Sequence, residues 1–166
     1  MKNAQKITPC LVFDGQAEQA ARFYVSVFKN SKITRMTHYS EAGQEIHGQQ
    51  PGSVLTVEFE LDGQTFTGLN GGPLFKFNEA ISFYILCDTQ QEVDHYWNNL
   101  KEGGDEQAQQ CGWLKDKFGV SWQVTPRVVF EMLSSPDAAK SQRFMAALMQ
   151  MKKLDIAALQ RAYDGN

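Results

Sequence analysis

The sequence predicts an α+β fold, two paired βαβββ modules forming an open barrel-like sheet around a cleft, with C-terminal helices added. Three observations predict it. Short apolar runs alternate with stretches whose apolar residues recur at helical spacing. The order strand, helix, strands occurs twice, and the pattern after Pro126 is helical throughout. The duplication is degenerate: Asp14 closes one strand and Phe23-Tyr24 follow in a helix, just as Asp88 closes another and Tyr96-Trp97 follow. Gly63-Gln-Thr-Phe66 likewise matches Gly119-Val-Ser-Trp122, a turn glycine with an aromatic three residues on.

Residues 7–13 form the first strand, broken by Asp14-Gly15. In residues 16–28, Ala17, Ala20, Ala21, Tyr24, Val27 and Phe28 share one helical face. Residues 32–40 read as a strand, 41–52 as a polar loop, 53–62 as a strong strand and 65–69 as its return after Gly63. Asn70-Gly-Gly-Pro73 ends this half with a turn whose backbone N–H groups could face an anion. The second half opens with a strand at 80–87. A helix at 89–100 follows, with Asp88 or Thr89 as N-cap and Val93, Tyr96, Trp97 and Leu100 as its apolar face. A short polar strand is expected at 105–110. Then comes a hairpin: Trp113-Leu114, a turn at Asp116-Lys-Phe-Gly119, and the strand 121–125, stopped by Pro126. Beyond it, residues 128–133, a segment started by Ser135-Pro-Asp137, and a last segment with Ile156, Leu159 and Ala162 are helical. One domain spans 1–166, comprising a first module at about 5–73, a second at about 78–126 and a helical cap at 127–166.

Side chains alternate along a strand, so the hairpin's last strand has an apolar face (Trp122, Val124) and a polar face (Ser121, Gln123, Thr125). The same alternation turns Leu55, Val57, Phe59 and Leu61 toward a helix and Thr56, Glu58 and Glu60 toward the cleft. Thr65 and Thr67 also face inward, as do Ser82 and Tyr84. The expected cleft holds hydroxyls, an amide and one or two carboxylates. Its ligand-binding candidates are Gln123, Ser82, Tyr84, Thr67, Asn70 and Trp113, the last able to stack on a planar ligand. Glu58 is the candidate base, because a carboxylate in a partly dry cleft has a raised pKa. His38, in a neighbouring strand, is its candidate acid-base partner. Met145, Met149 and Met151 are read first as packing residues of the helical cap.

The 166 residues carry a net charge of −3 and scattered basic residues, which gives no field for nucleic acid. No apolar stretch approaches the roughly 20 residues of a membrane span. Three cysteines without CxxC spacing suit a reducing, cytoplasmic setting. The expected partner is a small-molecule ligand. The apolar C-terminal helices make a homodimer the expected assembly.

The paired modules, with Phe23-Tyr24 in the first helix and Trp113-Leu-Lys-Asp-Lys-Phe-Gly-Val-Ser-Trp-Gln123 near the end, resemble the vicinal oxygen chelate superfamily of glyoxalases, bleomycin-resistance proteins and extradiol dioxygenases. Cys10-Leu-Val-Phe-Asp-Gly15, residues 51–62, Leu69-Asn-Gly-Gly-Pro73 and residues 77–82 are similar to its PhnB-like branch, often labelled 3-demethylubiquinone-9 3-methyltransferase. The resemblance covers about 5–165. It implies a divalent metal held by His, Gln or Glu on the first and last strand of each module. Those places fall at Thr8 or Pro9, Thr67, Ser82 and Gln123, of which only Gln123 is a reasonable ligand. The usual metal triad is therefore expected to be missing, and no residue is assigned to a metal or other cofactor. The resemblance leaves three kinds of activity open: a small-molecule binding protein or enzyme, a metal-dependent lyase, isomerase or dioxygenase, and a sequestering resistance protein. The methyltransferase label meets no glycine-rich GxGxG turn.

Overall fold

A computed structural model describes residues 6–166. The described residues form seven strands that pair into two sheets, of four and three strands, and helices follow at the C-terminus. Contacts divide the chain into two compact units, with the boundary between Lys76 and Phe77.

In the first unit, β1 (Cys10–Phe13), α1 (Ala17–Val27), β2 (Lys32–His38), a single helical turn α2 (Gln44–His47), β3 (Val54–Leu61) and β4 (Gln64–Asn70) follow in order. The turn α2 lies in the stretch expected to be loop only. The sheet order is β1-β4-β3-β2, with β1 parallel to β4 and the other pairs antiparallel. Helix α1 buries Ala17, Ala20, Ala21, Tyr24 and Val27 against Val57, Phe59, Leu61 and Phe66. The alanines let the helix lie close, and so does Gly68, where a Cβ would stand 3.2 Å from that of Ala17. Tyr24 is fully buried, its ring 6.1 Å from Phe59. Each such large side chain contributes roughly 1.5–3 kcal/mol by leaving water.

The second unit contains β5 (Phe83–Cys87), α3 (Gln90–Leu100), β6 (Trp113–Lys115), β7 (Ser121–Pro126), α4 (Val128–Leu133), α5 (Ala138–Leu148) and α6 (Ile156–Asp164). Its sheet runs β5-β7-β6, with β5 parallel and β6 antiparallel to β7. Thr89 is the N-cap of α3, accepting from the Glu92 N–H at 3.2 Å while Glu92 accepts from the Asp88 N–H at 2.7 Å. Val93, Trp97 and Leu100 bury the helix against the sheet.

The strand expected at 105–110 is instead a 3-10 helix, Glu106–Ala108. The Asp105 side chain caps it, taking the Gln107 N–H at 2.9 Å. Aspartate offers the backbone this local bond in place of a ladder. Only an isolated bridge, Gln110 to Trp113, remains of the pairing.

The C-terminal helices have a small core of their own, with Val129, Met132, Phe144, Leu148, Leu154 and Leu159. Gln90, at the start of α3, clamps this extension. Its amide donates to Leu154 O at 3.1 Å and accepts from Ile156 N at 2.9 Å. Lys153 reaches Asp94 of α3 at 2.5 Å and holds that carboxyl below its usual range.

Candidate functional site

Each sheet has one face under its helix and one facing away. On the first unit's away face the register sets Cys10 beside Thr67, Thr67 beside Glu58 and Glu58 beside Arg35. Thr56, Glu58 and Glu60 share this face, as the alternation requires. Glu58, the candidate base, is already engaged on this face. Its side chain is 29% exposed and forms a salt bridge with Arg35, so it is neither dry nor unpaired. His38 is exposed and pairs with Val54, four residues from Glu58 along β3, or about 13 Å. The two do not meet.

Asn70 lies on the other side of this sheet, among the residues under α1, and is 5% exposed. Its Oδ1 accepts the Ala17 N–H, the first of α1, at 2.9 Å, and its Nδ2 donates to Val54 O at 3.0 Å. The residue thus fastens the helix start to the sheet, and its amide is already engaged at both ends. Of the two candidates on β4, Thr67 keeps its expected face.

Four of the candidates do come together in the second unit. On the face away from α3, the register places Tyr84, Gln123 and Trp113 in one row across β5, β7 and β6. The two aromatics flank the amide, each about 5 Å away at strand spacing. Gln123 is 8% exposed, and its Nε2 donates to Ser82 Oγ at 2.8 Å, while its amide oxygen accepts no bond among the described residues. Tyr84 is half exposed and meets Phe130 edge to face at 5.7 Å.

Ser121, two residues before Gln123 and on the same face, is 3% exposed. Its hydroxyl has no hydrogen-bond partner among the described residues. Beside it stands Lys115, in register with Ser121 and ion-paired to Glu79, whose carboxyl it holds below the usual range. The segment around 77–82 thus touches this face through Phe77 near Gly119, Glu79 at Lys115 and Ser82 at Gln123.

Outside the sequence-based set, Asp116 positions this site and Gln90 holds the helical extension. Asp116 is 2% exposed; its Oδ1 accepts the N–H groups of Phe118 (2.8 Å) and Val120 (3.0 Å), and its Oδ2 accepts the Trp122 indole N–H (2.8 Å). An aspartate three residues before a turn glycine is a legible signal for such a side-chain-to-backbone turn. Gln90 carries no comparable signal, because its partners lie more than 60 residues on.

The family profile described as 3-demethylubiquinone-9 3-methyltransferase matches residues 5–125. The match stops short of the expected 165, so α4, α5 and α6 lie beyond it. A Bacillus cereus PhnB protein whose name carries the same description is 36% identical, with a TM-score of 0.62. The similarity covers 74% of this chain and 99% of that one. Protein PA1353 from Pseudomonas aeruginosa shares the fold at 19% identity and a TM-score of 0.57, over 74% of this chain and 98% of that one. No curated protein matches. The chain belongs to the PhnB-like family of the vicinal oxygen chelate superfamily, the family described as 3-demethylubiquinone-9 3-methyltransferase.

Proposed function

We propose that the protein binds a small polar molecule on the β5-β7-β6 face away from α3, with Gln123 and Ser82 as hydrogen-bonding residues and Tyr84 and Trp113 as flanking rings. The observation that carries this reading is the buried Ser121 hydroxyl beside the Gln123 amide oxygen, both without a hydrogen-bond partner among the described residues. Buried polar groups are nearly always paired, and leaving one unpaired costs about 1–3 kcal/mol. A ligand that brings a donor and an acceptor to this face would offset that cost. The aromatic rims favour a ligand with a planar apolar part. On the first unit's own polar face, Thr67 is a separate candidate contact. Neither Glu58, engaged by Arg35, nor the distant His38 is given a catalytic role.

The divalent metal implied by the superfamily does not fit the residues at its expected places. Thr67 and Ser82 supply neutral hydroxyls and Gln123 an amide already donating to Ser82, where transition metals take imidazole, thiolate or carboxylate. S-adenosylmethionine, implied by the family description, fits poorly too. The β1–α1 turn is Asp14-Gly15-Gln16, and the first N–H of α1 is taken by Asn70. The reading includes a cytoplasmic homodimer, supported by the odd number of thiols and by the exposed Phe130 and Leu133 of α4.

A thermal-shift screen of small metabolites, followed by calorimetry, tests the site. A ligand bound by the wild type should be lost in Gln123→Ala and weakened in Ser121→Ala, yet retained in Glu58→Ala. Retention in Gln123→Ala with loss in Glu58→Ala would move the site to the first unit. Stoichiometric Mn, Ni or Zn binding abolished by Gln123→Ala would replace this reading with metal-assisted chemistry.

A further inference from the structure

Lys115 brings a cation to the face that carries the proposed site, and Glu79 occupies it. Lys115 stands in register with Ser121 across β6 and β7, so the two side chains share that face with their Cβ atoms about 5 Å apart. The Lys115 side chain is 23% exposed, whereas that of Glu79 is 57% exposed, so the carboxylate reaches a largely covered ammonium from outside. Glu79 sits on a local turn, in which Asn78 Oδ1 accepts the Ala80 N–H at 2.9 Å. The ammonium holds the Glu79 carboxyl below its usual range, so it is a charged carboxylate that this nitrogen takes. Yet Glu79 leaves the neighbouring Ser121 hydroxyl, 3% exposed, without a partner.

The groups around this pair sort by what they offer. An ammonium carries three N–H donors and a serine hydroxyl one, so Lys115 and Ser121 together offer positive charge and donors. Two residues on along the strands, about 7 Å away, lies the row of Trp113, Gln123 and Tyr84. There Gln123 Oε1, which accepts no bond among the described residues, offers an acceptor between two rings. One end of the face suits an anion and the other a planar group bearing a donor.

We propose that the ligand of this site is a small aromatic carboxylate with a hydrogen-bond donor on its ring. Its carboxylate takes the place of Glu79 on Lys115 and accepts from the Ser121 hydroxyl, a bond Glu79 does not make. Its ring lies over Gln123 between Tyr84 and Trp113, with the ring donor on Gln123 Oε1. Glu79 is then an internal competitor, and binding exchanges one carboxylate for another at the ammonium. The inference rests on the ligand reading above and supplies its chemical class.

Calorimetry on the full-length protein with para-hydroxyphenylpropionate and its neutral amide, para-hydroxyphenylpropionamide, tests the class. The acid should bind the wild type at least tenfold more tightly than the amide, and that preference should vanish in Lys115→Gln. Glu79→Gln should raise affinity for the acid at least threefold and leave the amide unchanged. This variant and the comparison of acid with amide on the wild type leave Lys115 intact, so they decide the matter even if Lys115→Gln folds poorly. Equal binding of acid and amide, both lost in Gln123→Ala, would overturn the anionic class while the site itself stands. Acid binding retained in both Gln123→Ala and Ser121→Ala would sink the site and the class together. Weaker acid binding in Glu79→Gln, or none by the wild type at millimolar concentration, would also overturn the proposal.

Discussion

Asp116 offers the sharpest test of how the hairpin presents Ser121 and Gln123. Its carboxylate accepts three N–H groups, two from the turn backbone and one from the Trp122 indole, while almost wholly buried. The main chain of Asp116 also donates to Val120 O and accepts from Gly119 N, both at 2.9 Å. Asp116→Ala removes every side-chain acceptor at once. A hydrogen bond to a charged group contributes about 1.5–3 kcal/mol net, and the carboxylate's own desolvation offsets part of that. The expected loss is about 3–5 kcal/mol, a large share of the roughly 5–15 kcal/mol that holds a typical domain. Asp116→Asn should lose less, about 2 kcal/mol. Its remaining oxygen can still serve Phe118 and Val120, but its NH2 group then faces the Trp122 N–H, donor against donor. Trp122→Phe removes that clash, so it should cost less in the Asp116→Asn background than in the wild type, with a coupling energy of about 1 kcal/mol or more. Urea unfolding followed by far-ultraviolet circular dichroism measures these variants beside the wild type. If Asp116→Ala costs less than about 1 kcal/mol, or if Asp116→Asn and Trp122→Phe add within about 0.5 kcal/mol, the carboxylate is not what holds the hairpin.

The orphan hydroxyl leads to an unusual expectation: Ser121→Ala should raise the midpoint of thermal unfolding, by about 1 kcal/mol in stability, since no bond is lost and an uncompensated polar burial is relieved; a drop of similar size would mean that Ser121 has a partner. Gln90→Ala should loosen the C-terminal helices by about 1–3 kcal/mol, visible as faster hydrogen exchange in α5 and α6 with β5–β7 unaffected; uniform protection across the second unit would refute the clamp. Burial pushes the Cys87 thiol up to about 12, with Glu92 and Asp88 adding to the shift. In the unfolded chain this thiol ionises at about 8.5, so between about pH 8.5 and 12 the unfolded state binds fewer protons and stability falls as pH rises, by up to about 1.4 kcal/mol per pH unit. Alkaline unfolding of wild type and Cys87→Ala checks this, and an equal slope in both would exclude the thiol as the cause.

Much of the architecture is legible along the chain because its causes are local. The 3.6-residue spacing of Ala17, Ala21, Tyr24 and Phe28 and the Thr89 cap describe helices by themselves, and alternation in 53–62 already separates Val57 and Phe59 from Glu58. The same reading fails at 105–110, where an aspartate side chain diverts a polar segment into a 3-10 turn. Nor does it reach the partners of Asn70, whose face follows from the alternation of β4 but whose side-chain partners lie 16 and 53 residues away.

For the candidate site, the sequence alone determined which side chains share a face. Period-two alternation needs only strand identity, and it grouped Ser121, Gln123 and Thr125 and paired Ser82 with Tyr84. Tertiary structure decided which of these faces meet and which groups are already engaged. Strand register set Tyr84 and Trp113 on either side of Gln123, gave Glu58 to Arg35 and put His38 out of its reach. It also left the Ser121 hydroxyl unpaired and brought Glu79 against Lys115. Register and long-range contact are settled by the packing of whole faces, an energy spread over many residues, so no short stretch of sequence carries them.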